Sequence, residues 1–173
     1  MSDVTNDTSK FQIFRAADAP GLMEAGCMSI EPYSDLQRAG LDKLLQAGVL
    51  EGEEIRVLVN VPGFSLTHVW FKSGYPLPLH SHDADCLYYI IAGTIRLGTE
   101  DLGPRDSFLI PAGVPYAYRA GSEGAEVLEF RHATHFNFLN LAKGAGFWDK
   151  AAESAAQNLD AWRKAVPPTL ART

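Results

Sequence analysis

At 173 residues with 46% apolar content, the chain has the size of one domain with a single sizeable core, and it holds no apolar run of the roughly 18 residues that a membrane-spanning helix needs. A net charge of −6 and the lack of any Lys/Arg run argue against a phosphate-rich nucleic-acid partner and leave a small, uncharged or polar organic molecule as the expected one. The two cysteines, Cys27 and Cys86, are too few for a disulfide scaffold, and the polar start MSDVTNDTSK has no signal-peptide core, so a reduced, cytoplasmic protein is expected.

Residues 1 to about 10 are rich in Ser, Thr, Asp and Asn and read as a mobile tail. From Ser34 to Gly48 a capping serine, leucines Leu36, Leu41, Leu44 and Leu45 near helical spacing and a glycine stop predict an amphipathic helix, weakened at Gly40. From Glu54 to Ala133 short runs rich in Val, Ile, Tyr and Phe are broken by turn signals at Pro62-Gly63, Ser73-Gly74, Leu102 to Pro104 and Gly121 to Gly124, which predicts an antiparallel all-β segment. The chain closes with FWDKAAESAAQNLDAWRKAV, a helix that Pro167-Pro168 ends. Its Trp148, Ala152, Ala155, Leu159 and Trp162 form a face expected to pack on the β segment or on a second subunit. The expected organisation is one structural domain: a tail and packing helix over 1–50, the β segment over 51–135 and a helical extension over 136–173.

Within the β segment, His80 and His82 flank one residue of a strand-like run, so both imidazoles share a face and look like half of a metal site. Their setting resembles the cupin family. In GYPLPLHSHDADCLYYIIAG, Gly74, His80, His82 and Gly93 match the spacing of that family's first motif, with Cys86 where the motif has glutamate. In RDSFLIPAGVPYAYRA, Pro111 and Gly113 match the second motif, whereas Arg105, Tyr116 and Ala120 replace its glycine, histidine and asparagine. The resemblance implies a jelly-roll β-barrel with flanking N-terminal and C-terminal helices, and a site built from inward residues that enclose one small ligand.

Strand parity then sorts the candidates. The motif match turns Cys86, Tyr88 and Ile90 inward, and Tyr116 and Tyr118 share a face. In AEVLEFRHATHF, the apolar set Leu128 and Phe130 is expected to face in and to carry His132 with it, leaving Val127, Glu129 and Arg131 outside. In SLTHVWFKSG either Leu66, His68 and Trp70 or Thr67, Val69 and Phe71 could face in. Catalytic metal sites have three protein ligands in most cases, so His132 is the expected third ligand beside His80 and His82, with Tyr116 as a phenolate or Cys86 as a thiolate as the alternatives. His135 reads as an exposed residue.

The first expectation is a metal-dependent cupin enzyme, holding iron or else zinc, nickel or manganese. The resemblance implies a dioxygenase, with lyase or isomerase chemistry behind it. Tyr116 would be its catalytic acid, substrate donor or oxyanion stabiliser, and Cys86, Tyr88, Tyr118, Trp70, Phe130 and His68 its substrate pocket. Two other readings stand beside it: a non-catalytic binding or sensor cupin, and a metal-free acid/base epimerase or isomerase that pairs Tyr116 or Tyr118 with His80 or His82. A homodimer is expected.

Overall fold

Alternating burial organises the chain between its turns, and the computed structural model describes it over residues 10–171. The expected tail, residues 1–9, lies outside the described residues. The elements in chain order are α1 (Leu22–Ala25), β1 (Met28–Ile30), α2 (Asp35–Gln46), β2 (Glu53–Val61), β3 (Phe64–Phe71), β4 (His80–Ser81), β5 (Cys86–Leu97), β6 (Glu100–Leu102), β7 (Ser107–Ile110), β8 (Arg119–Arg131), β9 (Phe136–Asn140) and α3 (Ala145–Lys164).

The strands form two sheets. A six-stranded sheet runs β2-β3-β8-β5-β6 with β7 paired to β5, and a three-stranded sheet runs β1-β9-β4. An isolated bridge between His80 and Tyr116 links the small sheet to the segment entering β8. The architecture is therefore mostly β with flanking helices, and the pairings among the described residues run as two sheets and not as one closed ring. The small sheet draws β1 and β9 from outside the expected 51–135 segment. Its strands are three, two and five residues long, too short to carry a periodic signal.

β5 shows why parity works here: Cys86, Tyr88 and Ile90 are buried while Leu87 and Tyr89 are exposed. The strand stays close to β8 because Gly93, at φ 74°, has no side chain; a Cβ there would lie 2.1 Å from the Gly124 carbonyl oxygen. The motif glycine replaced by Arg105 marks another left-handed position. Asp106 N–H donates to Gly103 O at 3.0 Å with Pro104 and Arg105 between them, and Arg105 has φ 79°, which is a type II turn with a non-glycine residue at its left-handed corner.

α2 begins with a capping box, in which Gln37 N–H donates to Ser34 Oγ and Ser34 N–H donates to Gln37 Oε1, as the Ser34 signal predicted. Gly40, the weak point of its sequence, is where the Trp148 ring of α3 packs. Trp148, Ala151, Ala155 and Trp162 of α3 are buried together with Leu44 of α2 and with Val49. Trp162 Nε1 donates to Ser73 O at 2.8 Å, so α3 is seated on both α2 and the β segment, while Ala152 and Leu159 of the expected face are half-buried.

Candidate functional site

A cavity of about 590 Å³ opens between the two sheets and is roofed by α1, α2 and Trp148. Its polar end is made by His80, His82, Tyr116, Glu129, Arg131 and Asn140. The HSHDADC segment places the histidines. Asp83 accepts from Asn137 N–H and Asp85 from Ala112 N–H, both at 2.7 Å, which ties the loop to β9 and to the second-motif turn. On the main chain, His80 and Tyr116 exchange hydrogen bonds at 3.1 and 2.9 Å. Tyr116, standing where the motif has histidine, is thereby set beside His80 with ring centroids 4.3 Å apart.

Both imidazoles are held in one tautomer. His80 Nδ1 lies 2.8 Å from Pro78 O and His82 Nδ1 is bonded to Asn137 O. A carbonyl only accepts, so each Nδ1 carries the proton and each Nε2 keeps its lone pair. The rings are 5.0 Å apart between centroids. Burial lowers the pKa of His80 to about 4, with the neighbouring His82 adding to the effect. Burial lowers that of His82 to about 4 as well, with the Arg131 charge adding to it. Both are neutral at pH 7. The phenols shift the other way: burial and the Glu129 carboxylate push Tyr88, Tyr116 and Tyr118 above the usual phenol range, and Tyr88 and Tyr116 share a hydroxyl–hydroxyl hydrogen bond.

On β8 the parity is the reverse of the expectation. Val127, Glu129 and Arg131 face in, while Leu128 and Phe130 face out, where Phe130 meets Phe64 at 6.4 Å between ring centroids. His132 follows the end of β8 as an exposed residue and does not line the cavity, and His135 is exposed as expected. On β3 the inward set is Ser65, Thr67, Val69 and Phe71. His68 and Trp70 therefore lie on the outer face, where His68 Nε2 is 3.3 Å from Glu126 and Lys72 sits over the Trp70 ring. Part of that face is covered by the chain itself, since Thr169 N–H donates to Glu126 at 2.7 Å; a covered outer face is why apolar residues there were misleading. Of the other pocket candidates, Tyr118 lines the cavity. Cys86 and Tyr88 face inward but lie beneath its wall, 1% and 0% exposed, and burial pushes the Cys86 thiol up to about 12.

The residues that parity passed over are Glu129 and Arg131. Arg131 is 2% exposed, its Nη1 lies 2.8 Å from Glu129 Oε2, and its guanidinium covers the Phe136 ring at 4.1 Å. Burial opposes its charge, but the Glu129 carboxylate outweighs this and keeps Arg131 protonated. A signal was present: opposite charges at i and i+2 of a strand share a face, which is the argument already used for the histidines.

A metal of the expected kind finds two of its usual three protein ligands here. His80 and His82 present two imidazole lone pairs, but among the described residues no group of three or more His, Cys, Asp or Glu side chains is placed to hold an ion. Glu129 is engaged by Arg131.

No family model matches the chain, and a search of curated proteins found no match. Solved structures do resemble it. KdgF from Halomonas sp. is 21% identical over 46% of this chain and 79% of its own, with a TM-score of 0.41. An RmlC-like cupin from Shewanella frigidimarina is 19% identical over 47% and 76%, with a TM-score of 0.42. An oxalate decarboxylase variant from Bacillus subtilis is 24% identical over 52% and 28%, with a TM-score of 0.47, so this chain spans less than a third of that enzyme. The likeness extends over about half of this chain.

Proposed function

We propose that this protein is a small-molecule-binding cupin that holds an organic ligand in the cavity between its sheets. The observation that supports this reading is the neutral state of the two histidines and the tyrosine that line the cavity beside the Glu129–Arg131 pair. His80 and His82 have pKa values of about 4 and Tyr116 lies above its ordinary range, so base and acid are driven apart from the neutral values at which a proton-transfer pair works best. Such groups serve as fixed hydrogen-bond partners, with the imidazole Nε2 atoms accepting and the phenols donating. The test is a thermal-shift screen of small organic molecules, followed by incubation of each hit with the protein and mass analysis of the mixture. The reading predicts saturable one-to-one stabilisation, weakened in Tyr116→Phe and His82→Asn, with the hit recovered unchanged; conversion of the hit to product would overturn it.

A second reading, the metal-dependent dioxygenase, is favoured by one observation: both Nδ1–H groups are anchored on main-chain carbonyls, the arrangement that orients imidazoles as metal ligands. Iron held by His80 and His82 would supply oxygen activation. Elemental analysis of protein purified without chelator separates the readings. Near one transition metal per chain, lost in His80→Asn, would favour the enzyme.

A further inference from the structure

Taking the cavity as a small-molecule site, we infer that its ligand is an organic monocarboxylate with an apolar body, whose carboxylate is received by Arg131. Arg131 has five N–H donors in one plane, and in this interior they are under-used. Nη1 faces Glu129 at 2.8 Å but off the line of a hydrogen bond, and Nε is buried without a partner among the described residues. Phe136 occupies the face of the guanidinium, which leaves its edge as the surface open to an acceptor. A planar, two-oxygen acceptor matches such an edge better than a single carbonyl does.

Unpaired hydroxyls surround Arg131, Tyr118 in the cavity lining and Ser65 and Thr67 behind the wall. Ser65 and Thr67 are register partners of Arg131 and Glu129 on the same inward face, and Ser65 Oγ, Thr67 Oγ1 and Tyr118 OH are likewise buried without partners. Buried polar groups are paired in the great majority of cases, and here they cluster around one cation. Glu129 bears on the identity of the anion as well. It already offsets the charge of Arg131, so each further negative charge adds repulsion and a phosphate dianion is disfavoured more than a monocarboxylate. Toward the opening the lining turns apolar, through Leu41, Leu44 and Phe138, and ends in Met23, Leu45 and Leu50, which are 67%, 42% and 65% exposed. A ligand with its carboxylate inside and its hydrocarbon toward the mouth meets both environments.

The probes are 4-phenylbutyrate with 4-phenylbutan-1-ol, and hexanoate with hexan-1-ol, titrated calorimetrically into the full-length protein. A charge-assisted pair at a buried site is expected to make at least one acid about tenfold tighter than its alcohol. Glu129→Gln/Arg131→Met removes both charges together, a change that buried ion pairs often tolerate, and is expected to bring acid and alcohol to equal affinity while alcohol binding persists. If circular dichroism shows that variant unfolded, Arg131→Lys replaces it; keeping the charge but losing the planar fork, it is expected to cut the acid preference several-fold. Equal affinity of acid and alcohol in the wild type, or a preference that survives these substitutions, overturns the carboxylate assignment and leaves the small-molecule reading standing. Failure of all the probes to bind counts against the small-molecule reading and the assignment with it.

Discussion

Acidification should destabilise this protein through His80 and His82 over a defined pH window. Each has a folded-state pKa of about 4 against about 6.5 in an unfolded chain. Between those values the unfolded state binds the proton and the folded state does not, so stability rises with pH through the window, is fully present above pH 6.5 and is lost as pH falls toward 4. Integrating the linkage from pH 7.5 to pH 5 gives a loss of about 2 kcal/mol per histidine, or about 4 kcal/mol for the pair. Carboxylates titrate at the lower end of this range, so the measurement is a difference. Urea unfolding at both pH values is compared between the wild type and His80→Asn/His82→Asn, whose amides can still donate to Pro78 O and Asn137 O but do not titrate. The wild type should lose about 4 kcal/mol more than the variant. Equal losses in the two proteins would show that the imidazoles are hydrated or charged in the folded state, and would refute the neutral histidines on which the proposed function rests.

Gly40→Ala should destabilise the protein although it improves a helix. Propensity alone favours alanine by about 1 kcal/mol, but the new Cβ would fall 2.3 Å from Trp148 Cγ, and that ring is pinned by its Nε1–H bond to Ala142 O at 3.0 Å. Overpacking should win by about 1–2 kcal/mol, read as a lower thermal midpoint. Arg105→Gly should act in the opposite direction, because Arg105 holds φ 79° at the left-handed corner of its turn, and relieving it is worth about 1 kcal/mol, or about 2–4 °C in Tm. A fall in Tm for Arg105→Gly would mean that the arginine side chain makes a contact worth more than the strain.

How much could be read from the chain divides along one physical line. The long, regular features were legible: the Ser34 cap, the helix ended by Pro167-Pro168, and the alternation of Cys86, Tyr88 and Ile90 all follow from local periodicity. His80 and His82 were legible for the same reason, as a pair on one strand face. What parity could not supply was which face of β3 and β8 points inward. That choice was made on hydrophobicity, and it failed where two features coincide. The outer face is half-buried by Phe64 and by the segment around Thr169, so Trp70, Leu128 and Phe130 find cover there. The inner face carries Ser65 and Thr67 beneath the wall of a cavity and Glu129 and Arg131 at its lining, where polar groups can be served by a ligand. An inward charged pair and an outward apolar set look, in sequence, like an ordinary half-exposed strand.

The departures from the cupin motifs are easier to understand together than one at a time. The pattern they leave calls for imidazoles and a carboxylate converging on a cation. In this chain the carboxylate position is a buried neutral thiol, Cys86, and the third imidazole is a phenol, Tyr116, bonded to Tyr88. Both replacements remove a metal donor and neither adds a charge. Beside them stands the Glu129–Arg131 ion pair, on the strand paired with that of Cys86; His80 responds to both of its charges and His82 to that of Arg131. A metal centre draws an anionic substrate with a cation held by the protein's ligands; the cationic side chain lining this cavity is the Arg131 guanidinium. If that guanidinium is the attracting group, carboxylate binding should survive exhaustive chelation unchanged and should weaken in Glu129→Gln/Arg131→Met, whereas a metal-centred site would show the reverse order of sensitivity.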